Sequence, residues 1–471
     1  MRTIRYAAAC ALAASLYVNF TDSVVLAATP ADSGAEASAV DAVKVSVSAA
    51  SVGNAGNAAN AANAADAALI QRGEYLARAG DCVACHSAPA GKPFAGGLPL
   101  QTPIGTVYST NITPDKETGI GNDSYDDFDR ALRHGVSKRG YALYPAMPYP
   151  SYARVKPDDV KALYAYFMQG VTPVHQQPPE NGIPWPLSMR WPLGVWRSAF
   201  APDVAIATTT ATAAAGGGTG SDAAMLARGQ YLVEGLGHCG ACHTSRGMLL
   251  QEKALTDGAG PAFLGGGAVE HWFANNLRSD QSDGLGGWSR QDIVTFLKTG
   301  RNDHSAAFGG MHDVVVDSTQ HMSDDDLNAM AMYLQSLKAA APATPKAAYD
   351  ATAAKRLHAG QTTAPGAREF LNNCAACHRT DGKGYVGVFP TLALSSTVNA
   401  KDPASLIHIV LRGSSMPATQ GAPTVFTMPG FAPRLTDQQV ADVVSFIRSS
   451  WGNQSATVTA SAVSKVRAAS H

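Results

Sequence analysis

Cys-x-x-Cys-His occurs three times in this chain: Cys82-Val83-Ala84-Cys85-His86, Cys239-Gly240-Ala241-Cys242-His243 and Cys374-Ala375-Ala376-Cys377-His378. This spacing reads as covalent c-type haem attachment. Two thiols on one tight turn can both bond to the edge of a single porphyrin as thioethers. The next residue, a histidine, then meets the iron as its proximal ligand. Other uses of a Cys-x-x-Cys pair fit less well. A redox dithiol does not require the histidine, which is present at all three sites. A structural zinc site gathers cysteines in fours, and three pairs do not divide that way. The chain is therefore expected to fold around three haems.

The 471 residues suffice for about three domains of ~100–150 residues, one per motif. Six of the seven cysteines lie in the motifs, and the seventh is Cys10. Residues 1–28 read as a secretory signal, with Arg2 and Arg5 ahead of an apolar run and small residues at Ala27 and Ala28. Export agrees with haem attachment outside the bacterial cytoplasm and leaves no free thiol in the mature chain. No later segment reaches ~18 consecutive apolar residues, so the mature chain is not expected to cross a membrane. Lys plus Arg (36) balances Asp plus Glu (37), and no basic stripe suggests a nucleic-acid partner.

Residues 29–66 are Ala, Ser, Val, Asn and Gly with almost no large side chains, and are expected to be a disordered leader. Three similar units follow, at 67–207, 221–338 and 362–452. Each opens with a helix carrying a small residue and an aromatic ahead of its motif: Gly73 and Tyr75, Gly229 and Tyr231, Gly366 and Phe370. Each closes with an amphipathic helix, at 157–168, 323–337 and 436–449, bearing Tyr166, Tyr333 or Phe446. These closing helices start with acidic or hydroxyl residues suited to an N-cap and first turn. A small residue on one helix facing an aromatic on another permits a close crossing, the arrangement of the cytochrome c fold. The expected fold class is mainly α, with three tandem cytochrome c-type domains joined by flexible linkers at 208–220 and 338–361. Three tryptophans and several prolines at 184–197 suggest neither regular helix nor strand. That segment is expected either to dock the first unit on the second or to meet a partner or membrane interface. A polar tail occupies 453–471.

The sixth ligand of each iron should lie downstream of its motif, in a constrained loop before the closing helix. Met147 in Tyr144-Pro145-Ala146-Met147-Pro148, Met311 in Phe308-Gly309-Gly310-Met311 and Met428 in Thr427-Met428-Pro429-Gly430 meet that condition. A thioether there raises the haem potential. Met311 is preferred to Met322, which abuts a helix start, and Met428 to Met416, which also precedes a proline. A second histidine is the weaker rival; His134, His304, His312, His321 and His408 read as surface or capping residues.

Taken together these residues resemble the triheme cytochrome c subunits of bacterial membrane-bound dehydrogenases. The most specific matches are Tyr108-Ser109-Thr110-Asn111-Ile112-Thr113-Pro114-Asp115, Tyr144 to Pro150, Trp185 to Trp196, Phe308 to Met311 and Ser449-Ser450-Trp451-Gly452-Asn453. The resemblance implies an electron-transfer subunit, without substrate chemistry of its own, on the periplasmic face of the cell membrane. Three covalent haems would be held by Cys82, Cys85, Cys239, Cys242, Cys374 and Cys377. The iron ligands would be His86, Met147, His243, Met311, His378 and Met428. The implied partners are a large PQQ- or FAD-dependent dehydrogenase subunit acting on an alcohol, aldehyde, polyol or sugar acid such as gluconate, a small third subunit, and ubiquinone as acceptor, with peripheral attachment to the membrane. The alternatives from other classes are a multihaem catalytic enzyme, such as a peroxidase or sulfur-compound dehydrogenase, and a free-standing relay to a terminal oxidase.

Overall fold

The computed structural model describes residues 55–208, 221–342 and 347–469. One compact body runs from Leu69 onward, and the first, second and third units named below are the stretches 67–207, 221–338 and 362–452 within the chain. The signal segment, residues 29–54 of the leader and most of the first linker lie outside the described residues.

In chain order the main helices are α1 (Ala55–Ala79), α2 (Pro157–Ala165), α3 (Trp191–Phe200), α4 (Ser221–Gln230) and α5 (Asp324–Ser336). Then come α6 (Ala367–Asn373), α7 (Ala404–Arg412), α8 (Asp437–Arg448) and α9 (Ala460–Ala469). The architecture is mainly helical. Its strands form three two-stranded antiparallel ribbons: β1 (Pro99–Thr102) with β2 (Gly105–Tyr108), β3 (Gly267–Val269) with β4 (Trp272–Ala274), and β5 (Gly413–Ser415) with β6 (Thr427–Pro429). Because α1 starts at Ala55, the leader is helical over its last stretch instead of disordered to residue 66. Alanine loses no side-chain freedom in a helix, and the Ala-rich repeat carries the winding backwards.

One crossing recurs three times. A Cβ on Gly73 of α1 would lie 2.0 Å from the Ala162 carbonyl oxygen of α2. One on Gly229 of α4 would lie 1.9 Å from that of Ala329 in α5, and one on Gly366, at the start of α6, 2.2 Å from that of Asp442 in α8. One helical turn beyond each of these carbonyls stands the aromatic, Tyr166, Tyr333 or Phe446. Only glycine lets these backbones touch.

The cores are shared differently from a simple row of beads. Leu76, Leu163 and Phe167 from the first stretch pack in one cluster with Leu232, Phe263, Leu327 and Leu334 from the second. Phe370, Ile407, Val440, Val444 and Trp451 form a separate core around the third.

The expected acidic first turn is present in all three closing helices, and the expected side-chain cap in two. Ser323 accepts from the Asp326 backbone N–H, and Thr436 forms a reciprocal box with Gln439. At α2 the N-cap is Lys156, whose side chain makes no such bond. The second unit supplies the partner: the Lys156 N–H donates to the Tyr231 hydroxyl at 3.4 Å. Tyr231 itself lies in a wide π turn, Tyr231–Leu236, that continues α4. This turn takes up the one residue by which the stretch from Tyr231 to Cys239 exceeds that from Tyr75 to Cys82.

Three segments are more ordered than expected. The Trp-rich stretch forms α3, with Pro192 in the first turn, where its missing N–H costs nothing. Its Trp196 Nε1 donates to the Leu249 carbonyl at 2.8 Å, fastening the stretch to the second unit, while Trp185 and Trp191 remain 80% and 58% exposed. The second linker is no free tether. Ala340 and Ala341 N–H groups donate to Asp280, Tyr349 donates to the Asp381 carbonyl, and Leu357 is buried in the third core. The tail folds as α9 because Val458 and Val463 can be buried on the third core, and Arg467 pairs with Asp437 at 2.7 Å.

Candidate haem-binding sites

Each Cys-x-x-Cys pair lies on a single helical turn, Cys82–Cys85, Gly240–His243 or Ala375–His378. Each turn is closed by the histidine N–H donating to the carbonyl of the first cysteine at 2.9 Å. The three imidazoles are then held alike. Nδ1 of His86 lies 2.7 Å from the Thr110 carbonyl oxygen, that of His243 2.7 Å from Asn275, and that of His378 3.0 Å from Pro390. A carbonyl only accepts, so Nδ1 carries the proton and Nε2 keeps its lone pair for a metal. Burial lowers the pKa of all three rings, outweighing the carbonyl bonds that raise it, and keeps them neutral. A glycine N–H meets each histidine's own carbonyl: Gly96 at 2.7 Å, Gly266 at 2.8 Å and Gly384 at 3.2 Å. All three glycines have positive φ.

The loops that present the accepting carbonyls are built in parallel at the first two sites. Asn111 follows Thr110 and accepts from Thr113 N–H at 2.9 Å; Asn276 follows Asn275 and accepts from Arg278 N–H at 2.8 Å. This gives the Thr110-Asn111-Ile112-Thr113 stretch its physical role. The Asn275 side chain also donates to Thr397 Oγ1 at 2.8 Å, tying the second site to the third unit.

Burial pushes the Cys82, Cys239 and Cys374 thiols up to about 12, whereas Cys85 and Cys242 are exposed. Protonated thiols of this kind are poor nucleophiles, unlike the depressed thiols of redox dithiols. Cys377 completes the third pair.

Met147, Met311 and Met428 are each half-buried at the margin of a core. Met147 sits in a turn closed onto the Tyr144 carbonyl, Met311 follows Gly309 at the start of the Gly310–Asp313 turn, and Met428 is central in β6 opposite Ser414. Of the rivals, Met322 is buried in the shared core at 3% exposure, and Met416 Sδ lies 3.6 Å from Arg301 Nη1. Among the histidines, His304 stacks on Trp288 and pairs with Asp292, His321 bonds the Val316 carbonyl, His312 the Ser415 carbonyl, and His408 lies over Trp272. His134 ends the Tyr125–His134 helix.

Sequence reasoning missed His238, beside Cys239, whose Nε2 lies 3.3 Å from the Gly80 carbonyl oxygen. It also missed Arg72 and Arg228. The signal was there: Arg72-Gly73-Glu74-Tyr75 and Arg228-Gly229-Gln230-Tyr231 repeat one pattern that the third unit lacks.

Two thiols on one turn, a neutral imidazole with Nε2 available and a thioether on a constrained loop suit covalently bound haem c. The cytochrome c family model matches residues 363–451. Over 404 residues the chain is 57% identical to the gluconate 2-dehydrogenase cytochrome c subunit of Pantoea cypripedii, covering 85% of this chain and 90% of the relative. The chain belongs to the family of dehydrogenase cytochrome c subunits. It is 51% identical over 402 residues to the cytochrome c subunit of the quinone alcohol dehydrogenase of Gluconobacter oxydans (85% and 82% covered). It is 38% identical over 425 residues to the fructose dehydrogenase cytochrome subunit of Gluconobacter japonicus, with the same coverage. In this dehydrogenase cytochrome c subunit the family match spans Gly366, the third attachment turn, Met428 and Trp451. Among the described residues no helix is long and apolar enough to cross a membrane.

Proposed function

We propose that this chain is the electron relay of a membrane-bound dehydrogenase, built of three tandem cytochrome c-type units with one haem each. The observation that carries the reading is the threefold repeat of an attachment turn whose histidine is neutral, proton-fixed at Nδ1 and free at Nε2. Cys82 and Cys85, Cys239 and Cys242, and Cys374 and Cys377 would bond the porphyrins. His86 with Met147, His243 with Met311 and His378 with Met428 would fill both axial positions. Haem held in that way supplies one-electron chemistry with little reorganisation. The protein's part is to fix position, exclude water and set potential. A half-buried methionine available to each haem for the sixth position supports this relay over a multihaem peroxidase or sulfur-compound dehydrogenase, which needs that position open.

The catalytic partner is a large subunit, PQQ- or FAD-dependent, oxidising an alcohol, aldehyde, polyol or sugar acid. The named activities of the relatives support that range, and gluconate heads it. Electrons would leave to ubiquinone at the periplasmic face of the cell membrane after export through the 1–28 signal. The exposed Trp185 and Trp191, beside Arg190, suit peripheral attachment at a bilayer interface. Gentle detergent extraction of the tagged chain, with mass spectrometry of what accompanies it, tests the reading. A quinoprotein companion makes it an alcohol or aldehyde dehydrogenase subunit, and a flavoprotein companion a gluconate or polyol one. Recovery of the chain without any large subunit would overturn the proposal in favour of a free-standing relay.

A further inference from the structure

A reciprocal set of hydrogen bonds joins the first and second units. Tyr75 of α1 donates to Asp326 of α5 at 2.6 Å and accepts from the Ser323 N–H at 3.2 Å. Tyr231 donates to Asp159 of α2 at 2.5 Å and accepts from the Lys156 N–H at 3.4 Å. Each tyrosine thus crosses to the other unit's closing helix, bonds its N-cap N–H and reaches the acid three residues on. Each acid is also bound by an arginine of its own unit: Asp159 by Arg72 Nε at 3.0 Å, and Asp326 by Arg228 Nε and Nη2, both at 2.7 Å. Exchanging the two units maps the set onto itself. Among the described residues the third unit has no counterpart, since its aromatic, Phe370, carries no hydroxyl.

This contact differs from an ordinary domain interface, where relative motion is the default. Asp159 and Tyr231 are nearly fully buried, so breaking either bond strands a polar group away from water. The clamp also brings the attachment turns together. The Gly80 carbonyl, two residues before Cys82, accepts from Tyr152 at 3.2 Å and lies 3.3 Å from Nε2 of His238, the neighbour of Cys239. The Cys82–Cys85 turn packs against the Val314–Ser318 turn, which follows shortly after Met311.

We infer that Tyr75, Asp326, Tyr231 and Asp159 are positioning residues that hold the first two haem-attachment turns in one fixed placement, so that those two haems act as a coupled pair, with the third outside the clamp. The inference rests on the three-haem reading above. Coupling would let an electron be shared within the pair, whereas transfer to the third haem crosses different contacts, among them Asn275 to Thr397, Phe273 to Ser405 and Arg301 to the Thr424 carbonyl.

The test uses the full haem-loaded chain and its Soret circular dichroism, in which two haems fixed near one another give a bisignate couplet. Y75F and Y231F keep the rings and remove the phenol bonds. The expected result is a couplet in the unaltered chain that is lost in the Y75F/Y231F double variant, with haem content and the ordinary absorption spectrum unchanged. Absence of a couplet in the unaltered chain overturns the inference, as does a couplet of full size in the double variant. If the double variant fails to take up haem, the single variants decide: a reduced couplet supports the clamp and an unchanged one overturns it. Haem content by the pyridine haemochrome assay separates the two readings, because fewer than three haems per chain counts against the three-haem reading, while the couplet concerns the first two attachments alone.

Discussion

Nδ1 of His243 lies 2.7 Å from the carbonyl oxygen of Asn275, and the side-chain amide of that same asparagine donates to Thr397 at 2.8 Å. One residue therefore holds the second unit's imidazole with its backbone and the third unit with its side chain. Thr397→Val removes the acceptor and leaves the half-buried Asn275 amide donor unpaired, so it should cost about 1 kcal/mol. The second haem's midpoint should move while the first stays put. Denaturant unfolding and a potentiometric titration resolved by haem check both.

On the ligation proposed above, Met147→Ala should open the sixth position of the first haem, lower its potential and abolish that haem's share of the far-red iron–thioether band. Met322→Leu is the matched control. As a volume-conserving change in a core it should cost less than about 1.5 kcal/mol and leave the band intact. A band weakened by the Met322 change and untouched in Met311→Leu would reassign the second ligand.

Gly73→Ala and Gly229→Ala each drive a methyl into a backbone carbonyl at about 2 Å. Neither helix can move without disturbing the shared core, so the expected cost is at least about 1–3 kcal/mol. Thermal unfolding of the purified variants, with their haem content, measures it. A neutral result at Gly229 would mean that α4 and α5 do not cross as described.

The Tyr75–Asp326 contact carries a pH signature. Burial raises the Asp326 carboxyl, but the Arg228 and Tyr75 hydrogen bonds together outweigh it and leave its pKa below the usual 3.8. A depressed carboxylate stabilises the fold above its unfolded pKa, and that stability is lost as pH falls through the folded value. Burial, then the bond to Asp326, raises Tyr75 above 10.0, which adds stability below that pH and loses it above. The contribution should be flat between these limits and fall off in acid. Stability of D326N against the unaltered chain, measured from neutral pH to below pH 3.8, checks the sign: the difference should shrink in acid.

Removing residues 454–469 should loosen the third unit. Uncovering the core surface that Val463 buries forfeits about 1.5 kcal/mol or more, and Asp437 loses Arg467. Thermal unfolding should show the third unit melting earlier while the shared core of the first two keeps its transition.

What the sequence made legible was local. The attachment turns, the glycines ahead of them and the aromatics of the closing helices all follow from short spacings around covalent chemistry. Accepting carbonyls such as those of Thr110 and Pro390 were not legible, because any residue type supplies a carbonyl and only the folded path brings it to Nδ1. Order was underestimated where composition stood in for packing. The linker looked slack for its alanines and prolines, yet Leu357 and Tyr349 anchor it. At α2 the cap could not be read at all, since Tyr231 supplies it from far along the chain.

The wide turn Tyr231–Leu236 has a consequence for reading related chains. An added residue there is absorbed by a locally wider, underwound turn, so neither the crossing at Gly229 nor the attachment turn at Cys239 is displaced. Alignments that score the gap between tyrosine and cysteine as divergence therefore penalise a change with no geometric effect. A relative lacking that residue should wind an ordinary α-helix here and keep both landmarks, which makes the interval a marker of descent between the two halves and not of function.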